Sequence, residues 1–339
     1  MVLQDVRDVA TGLGFVEAPV AMADGSLLFV EIDTRRLRRL MPDGTIREIV
    51  TLSGGPNGLA IGPDGHAYVC NNGGLYQFMR LPITPPGMTP DQMPPDAPRF
   101  NMPLGAGAAP AKPVPKSGWQ GGSIQRVNLE TAKVETLFPN APDQILIAPD
   151  DIVFDDDGGF WFTDQGVQYA DCIVKGGVFH ARADDGTLRR ATTVATANGI
   201  GLYTRPGQGP GTGRRLFVAD TVFGRVWDLP VAGPGVLVTT LVPGTPAYDA
   251  LTLPGVQWVD SLKVQADGRV WVATLLRGGI TVWNPAGNTV DFVATGDPFT
   301  TNLCFGGADM MDVWITCAGT GTIKKGRADA PGERLLHQR

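Results

Sequence analysis

Six short apolar segments, each opened by an acidic or amide residue, recur along this chain of 339 residues. The opening residues are 40, 93, 48, 62 and 42 positions apart, and they are Glu17, Asn57, Asp150, Asn198, Asp260 and Asn302. Recurrence at roughly 40–50 residues with strand-like segments is typical of a β-propeller. Because the first strand of each propeller blade lines the central channel, we predict that these six side chains form a ring at one mouth of the channel.

Asp-Gly pairs between alternating apolar runs predict tight hairpin turns. They recur at residues 24–25, 43–44, 64–65, 157–158, 185–186 and 267–268. In the first blade they help to separate four predicted strands, Ala18–Met22, Leu27–Ile32, Arg36–Met41 and Ile46–Leu52. The last blade has three clear strands, so Leu3–Val9 is predicted to supply its fourth strand and to close the ring. The prediction is an all-β, six-bladed propeller with four antiparallel strands per blade, forming one domain over residues 1–339.

A proline-rich insertion at about residues 79–122 accounts for the one interval of 93 residues. It follows the second strand of the second blade, and antiparallel pairing places the end of a second strand on the same face as the start of the first. Loops of this length are usually functional or disordered. We interpret the insertion as an ordered lid over the channel mouth, because apolar residues such as Trp119 allow it to pack.

Composition and charge exclude several classes of protein. The formal net charge of −6 argues against a nucleic-acid partner, which needs a clustered basic face. The four cysteines lack metal-type spacing, and Cys70, Cys304 and Cys317 lie in apolar runs typical of buried free thiols. The start of the chain does not resemble a signal peptide, and no run approaches the roughly 18 apolar residues of a membrane span. We expect a cytoplasmic protein, a monomer or small homo-oligomer, without a membrane or nucleic-acid partner.

The ring predicts a site for a hard cation, because carboxylate and amide oxygens are the ligands that such ions prefer. The three histidines, His66, His180 and His337, fall in a turn, an outer strand and the tail, so a histidine-based triad or zinc site does not fit. We therefore favour one divalent ion, Ca²⁺, with Mg²⁺, Mn²⁺, Fe²⁺ or Zn²⁺ as alternatives. Any one polar start alone could equally be a turn residue, since Asn-Gly and Asp-Asp are common turn formers.

Further polar residues are placed at the same mouth by topology. Asn71 and Asp164 end second strands, so they are predicted to bind substrate together with Asn57 and with Trp119 of the insertion. Asn302 is expected to order the channel instead. Asp151 is expected to accept hydrogen bonds from backbone amides.

Several strings together resemble one known family. They are Gly55-Pro-Asn-Gly-Leu-Ala, Cys70-Asn-Asn-Gly-Gly, Asp151-Ile-Val-Phe-Asp-Asp-Asp-Gly-Gly-Phe-Trp-Phe-Thr-Asp and Asn302-Leu-Cys-Phe-Gly-Gly. The chain is similar over nearly its whole length to the gluconolactonase/regucalcin (senescence-marker-protein-like) family of six-bladed propeller lactonases. The resemblance implies one divalent metal in the channel, held by Glu17, Asp150, Asn198 and Asp260, with Asp260 also as the catalytic base.

The chain departs from that family at two places. Asp150 stands where the family usually carries asparagine, so the implied shell has three carboxylates and one amide. The arginine that animal-type sugar-lactone hydrolases carry just before this position has no counterpart, because Ala148 and Pro149 stand there. The first departure should tighten cation binding and weaken the ion as a Lewis acid.

The function implied is metal-assisted hydrolysis of a lactone, with the ion as Lewis acid and Asp260 taking a proton from water. Two alternatives stay open at this point. One is hydrolysis of phosphotriesters or other activated esters at the same metal. The other is a non-catalytic propeller that binds a ligand and uses the metal only for stability.

Overall fold

The computed structural model describes residues 2–84, 87–94, 97, 99–104, 119, 121–138, 146–169, 171–205, 213–238 and 249–337. Within these residues six antiparallel sheets of four or five strands form the blades of a β-propeller, which confirms the predicted fold, and two further sheets have two strands each. No helix in this described part is long and apolar enough to cross a membrane. Helical structure there is limited to two short 3₁₀ turns, Pro90–Gln92 and Thr221–Phe223.

The strands follow the predicted hairpins closely. In chain order they are β1 (Leu3–Ala10), β2 (Val16–Ala21), β3 (Leu27–Glu31), β4 (Arg36–Leu40), β5 (Ile46–Thr51), β6 (Pro56–Ile61), β7 (Ala67–Asn71), β8 (Phe78–Pro82), β9 (Arg99–Pro103), β10 (Ser123–Val127), β11 (Val134–Phe138), β12 (Pro149–Phe154), β13 (Phe160–Asp164), β14 (Val167–Gln168), β15 (Ile173–Val174), β16 (Gly177–Ala181), β17 (Leu188–Thr192), β18 (Ala197–Thr204), β19 (Arg214–Asp220), β20 (Arg225–Gly233), β21 (Val236–Leu237), β22 (Asp249–Thr252), β23 (Trp258–Val264), β24 (Val270–Leu275), β25 (Gly279–Asn284), β26 (Thr289–Ala294), β27 (Thr300–Gly306), β28 (Asp312–Cys317) and β29 (Thr322–Ala328).

The first strands of the six blades form a closed inner ring. They are β2, β6, β12, β18, β23 and β27, and each contacts the next in this order, with β27 returning to β2. The last blade is completed by the start of the chain, because β1 pairs antiparallel with β29 and sets Leu3 opposite Ala328. The predicted closure by Leu3–Val9 is therefore confirmed. Leu3 is only 2% exposed and packs into the core of the last two blades.

The Asp-Gly turns and the second-strand aromatic residues behave as the pattern predicts. Gly65 and Gly268 in two of these turns have φ angles of 73° and 88°, which favour glycine. Trp161 and Trp271 in second strands are fully buried. The Trp271 ring lies 5.3 Å from the ring of Phe305 in the next blade, so these aromatic residues pack blade against blade.

The insertion in the second blade begins with the antiparallel hairpin of β8 and β9. Asn101 anchors it, since its backbone N–H donates to the carbonyl of Gly319 (2.7 Å) and its side chain donates to those of Gly14 (3.0 Å) and Ala318 (2.9 Å). The ring of Phe78 lies 4.8 Å from that of Phe15 in the first blade. Residues 105–118 of the predicted lid lie outside the described residues.

The far end of the channel is covered by the segment after β29. Ala266 N–H donates to the Pro331 carbonyl (3.0 Å), and Glu333 N–H donates to the Val264 carbonyl (2.8 Å). A small space of about 30 Å³ lies under this segment, lined by inner strands together with Glu333 and Leu335. Among the described residues, the segment after β29 therefore packs on the ends of inner strands that lie away from the polar ring.

Candidate metal and substrate site

Every first strand is irregular at the same place. The register between first and second strand shifts between Glu17 and Val20, Pro56 and Leu59, Pro149 and Ile152, Ala197 and Ile200, Val259 and Leu262, and Thr300 and Asn302. Each of the six polar residues of the ring lies within or at the edge of one of these interruptions. Bulges of this kind redirect a side chain and are frequent beside functional sites. The polar starts are therefore bulge positions inside strands rather than turn residues.

These bulges bring neighbouring first strands unusually close. A Cβ added to Gly58 would lie 2.2 Å from the carbonyl oxygen of Asp150, and one added to Gly199 would lie 2.5 Å from the backbone nitrogen of Leu262. Glycine after Asn57 and Asn198 is thus required by the approach of the next blade. The backbone contact fixes the position of each polar side chain relative to the neighbouring one.

A cavity of about 470 Å³ opens at this mouth of the channel. Its lining includes five residues of the ring, which are Glu17, Asn57, Asp150, Asn198 and Asp260. The structure thus places the four residues predicted as metal ligands, and one predicted substrate contact, around a single cavity. Each of the five is less than a tenth exposed except Asp260, which is partly buried.

Glu17 is held from two directions. Its Oε2 accepts hydrogen bonds from the Asn302 side-chain amide (2.7 Å) and from the Ala18 backbone N–H (2.5 Å). Asn302 is itself fixed, because its Oδ1 accepts a hydrogen bond from the Leu303 N–H (2.8 Å). Burial raises the pKa of Glu17 to about 7 although both hydrogen bonds lower it. Asn302 therefore orders the ring by orienting a carboxylate, as expected from its position.

The other two ring carboxylates repel Glu17 and each other. Burial, followed by the charges of Asp260 and Glu17, raises the pKa of Asp150 well above its usual range. Burial and the charge of Glu17 likewise raise the pKa of Asp260, while the side-chain amide of Asn198 favours its charged form. Like charges concentrated in a low-dielectric channel are stabilised by a cation or by a proton.

The residues present fit a divalent cation by their donor chemistry. Asn198 Oδ1 is buried and has no hydrogen-bond partner, which is costly for an amide oxygen unless a ligand satisfies it. Carboxylate and amide oxygens around one cavity form a set suited to Ca²⁺ or Mg²⁺. No three histidine, cysteine, aspartate or glutamate side chains of the described residues are arranged to hold a metal ion by themselves. The fit therefore rests on the buried carboxylates together with the unpaired Asn198 oxygen.

The remaining predicted substrate contacts lie outside the described lining of the cavity. Asn71 Oδ1 accepts from the N–H groups of Gly55 (3.0 Å) and Gly73 (2.9 Å). The Asp164 carboxylate accepts from the N–H groups of Ile147 (2.7 Å) and Ala148 (2.9 Å). These side chains hold loops at the mouth, and a direct role with substrate stays a prediction.

Trp119 likewise supports a loop at the mouth. Its indole N–H is shared between the carbonyls of Asn72 (3.1 Å) and Ile147 (3.3 Å). The ring packs with an apolar cluster that includes Leu75 and Tyr169. Its predicted contact with substrate is untested by this geometry.

Histidine chemistry stays outside the site. His180 Nε2 is paired with the Asp155 carboxylate at 2.8 Å in the third blade, and Asn128 contacts His66 beside its hairpin turn. All four cysteines are free, and Cys70, Cys304 and Cys317 are buried as predicted.

Sequence reasoning missed two features of the site. Lys263 lies three residues after Asp260 in the same inner strand, and its Nζ is 3.1 Å from Asp151 Oδ2. A lysine in an otherwise apolar first strand was the available signal. The insertion was expected over the mouth, but its residue Leu104 and the adjacent Phe78 were not predicted as lining residues, because this segment follows no repeat.

Comparison with known proteins decides the family. The model of the SMP-30/Gluconolactonase/LRE-like region matches residues 15–319. The chain belongs to this family. A curated relative, lactonase drp35 of Staphylococcus haemolyticus, is 29% identical over 139 residues, which are 41% of this chain and 39% of the relative. The alignment thus spans about two fifths of the relative's length.

Two solved structures share the fold of this chain. A gluconolactonase from Xanthomonas campestris superposes with a TM-score of 0.64 at 17% identity, covering 95% of this chain and 89% of the other. Regucalcin from Agrobacterium tumefaciens, a calcium-binding protein, gives a TM-score of 0.66 at 15% identity, covering 99% and 98%. At these identities the likeness supports the propeller fold alone.

Proposed function

We propose that this family member hydrolyses lactones at the channel mouth with the help of one divalent cation. The observation that carries the proposal is the convergence of Glu17, Asp150, Asn198 and Asp260 around one cavity, with a buried Asn198 oxygen left unpaired. The relative named lactonase drp35 and the gluconolactonase that shares the fold support the substrate class. The calcium-binding regucalcin relative supports Ca²⁺ as the ion.

Glu17, Asp150, Asn198 and Asp260 would hold the cation through their side-chain oxygens. The cation, when bound, supplies Lewis acidity that polarises the lactone carbonyl and stabilises negative charge developing on its oxygen. Asp260 accepts a proton from the attacking water, and Asn198 orients the Asp260 carboxylate. The bond between the carbonyl carbon and the ester oxygen of the lactone then breaks, and that oxygen is protonated to an alcohol. One lactone and one water therefore give one hydroxy acid.

The test is proton release from a panel of lactones, with phosphotriesters included for the activated-ester alternative. We expect lactone turnover in the wild type and a loss of about 10²–10⁴-fold in Asp260→Asn, which keeps an oxygen ligand but removes the base. Asp291→Asn is the matched control, because Asp291 is exposed on the outer strand of the same blade. Turnover of phosphotriesters without lactones, or ligand binding without any turnover, would replace this function by one of its alternatives.

A further inference from the structure

Six large apolar side chains belong to the lining of the cavity. Phe15 and Ile32 come from the first blade, Phe78 and Leu104 from the insertion, and Trp258 and Leu275 from the fifth blade. Among the described lining residues, the charged side chains are the three carboxylates of the ring. The described wall therefore provides no cationic partner for an anionic substrate.

Four polar residues of the wall are already engaged in hydrogen bonds, whereas the hydroxyl of Tyr169 is buried without a partner. The Tyr76 hydroxyl donates to Gln165 Oε1, and Gln165 Nε2 donates to Thr221 Oγ1 at 3.3 Å. The Thr196 hydroxyl donates to Asp220 Oδ1 at 2.7 Å. A ligand with many hydroxyl groups could pair with the Tyr169 hydroxyl, but it would have to break the other bonds or leave most of its own groups unpaired, and both are costly.

We infer that the substrate is a neutral lactone carrying an apolar alkyl or aryl substituent, rather than a polyhydroxylated or anionic lactone. This inference rests on the proposed function. The cyclic ester lies against the six polar residues at the channel mouth, and its substituent lies along the apolar part of the cavity lining. Binding energy then grows with the apolar area that the substituent buries.

A homologous series measures this directly. For δ-lactones with alkyl substituents of increasing length, kcat/KM should rise about two- to fourfold per added methylene until the cavity is filled. The kcat/KM for glucono-δ-lactone should be at least about tenfold lower than that for δ-lactones of the series that carry an octyl substituent. Leu104→Asn should flatten the series, whereas Met102→Asn should not, because Leu104 (43% exposed) lines the cavity and Met102 (36% exposed) on the same hairpin does not.

The outcomes separate this inference from the function on which it rests. A series that is flat, or a preference for glucono-δ-lactone, would overturn the apolar substrate class and leave lactone hydrolysis standing. Absence of turnover for every lactone would overturn both. A rising series that Leu104→Asn flattens supports the inference.

Asp151 and Lys263 form a buried ion pair below the ring. Asp151 is 2% exposed, and its Oδ2 lies 3.1 Å from Lys263 Nζ, while its Oδ1 accepts the Ile152 N–H at 3.0 Å. Lys263 Nζ also donates to the Leu262 carbonyl at 2.9 Å. Asp151 therefore points away from the cavity, although it directly follows Asp150 in the sequence.

The charges of this pair reach the ring. Asp151 directly follows Asp150 in β12, and Lys263 stands three residues after Asp260 in β23, so both charges lie close to carboxylates of the ring. The geometry points to Lys263 as a positioning residue that holds Asp151 in the channel wall and offsets its charge. The pair thereby sets how strongly the ring attracts a cation.

The test compares cation affinity with the stability of the cation-free protein. Lys263→Met should tighten Ca²⁺ binding by about three- to tenfold, because it removes a nearby positive charge. The same change should lower the melting temperature of the cation-free protein, since it leaves the Asp151 charge buried and unpaired. Asp151→Asn should weaken Ca²⁺ binding, and the double variant should return towards wild-type affinity.

Lys324→Met is the matched control, because Lys324 pairs at the surface with Asp8 (2.7 Å). Calorimetric titration with Ca²⁺ and thermal unfolding are measured for each variant. If Lys263→Met does not fold, Asp151→Asn alone decides the matter. Unchanged affinity in every foldable variant of this pair would overturn the role of Lys263.

Discussion

Polar side chains at the channel mouth differ in function because they differ in the hydrogen-bond partners that the protein already provides for them. The side-chain oxygens of Asp164 and Asn71 accept hydrogen bonds from backbone N–H groups of nearby loops. Asn198 keeps a buried oxygen without a partner, and Glu17 is held in place by Asn302. Residue type and topology predict which side chains reach the mouth, but hydrogen-bond partners decide which of them can bind a ligand.

The ring carboxylates should contribute unequally to cation binding. Glu17→Gln removes a charge that Asn302 and Ala18 orient, so we expect Ca²⁺ affinity to fall by about tenfold or more. Asp150→Asn should be milder, because it also relieves the repulsion among Asp150, Asp260 and Glu17. Calorimetric titration with Ca²⁺ measures both. Strong loss in Asp150→Asn with none in Glu17→Gln would reverse this assignment.

Inner strands act as a unit through their bulges and their close backbone approach. Six register shifts at equivalent positions turn six polar residues towards the channel. The sequence predicted these positions from their spacing, but it suggested turns as an alternative because Asn-Gly is common in both settings. Contact between neighbouring blades, which a single sequence does not display, distinguishes a position inside a strand from a position in a turn.

Gly199→Ala tests the close approach of two first strands. The new Cβ would meet the backbone of Leu262 at 2.5 Å, so we expect the free energy of unfolding to fall by about 1–3 kcal/mol and Ca²⁺ binding to weaken. Gly233→Ala is the control, since a Cβ there has no atom within 4 Å. Urea unfolding of both variants gives the comparison. Equal stability of the two would show that the strands can move apart without cost.

The β8–β9 hairpin should influence substrate rather than cation. We propose that it is the anchored base of the lid predicted at residues 79–122. Asn101→Ala removes three side-chain contacts to carbonyls of Leu13, Gly14 and Ala318. We expect KM for an alkyl-substituted lactone to rise several-fold, with Ca²⁺ affinity unchanged. A variant with wild-type KM on every substrate would contradict a lid role.

Ring closure is the property of the molecule that the sequence predicted most fully. Repeated Asp-Gly turns and polar starts specified six blades, and a last blade short of one strand specified pairing by the start of the chain. The insertion was less predictable, because its contacts with the first blade through Phe78 and Asn101 follow no repeat. A repeated pattern allows the fold to be predicted from the sequence, whereas the conformation of a unique segment depends on tertiary contacts.

Closure by β1 should be a large part of the propeller's stability. Deleting residues 1–10 exposes the edge of β29 and removes Leu3 from the core, so the melting temperature should fall clearly. Leu3→Ala alone should cost about 2–5 kcal/mol, whereas Val6→Ala, at an exposed site of the same strand, should cost less than about 0.5 kcal/mol. Unchanged thermal unfolding after the deletion would be incompatible with this closure.

Lactone hydrolysis by this protein should require one divalent cation at the polar ring. Metal content and lactone turnover of the purified protein, measured before chelation, after exhaustive chelation and after Ca²⁺ is restored, test it most directly. Circular dichroism at each stage verifies that the propeller stays folded. We expect one ion per chain, loss of turnover on chelation and recovery of turnover when Ca²⁺ is restored. Full turnover by folded, metal-free protein would contradict it.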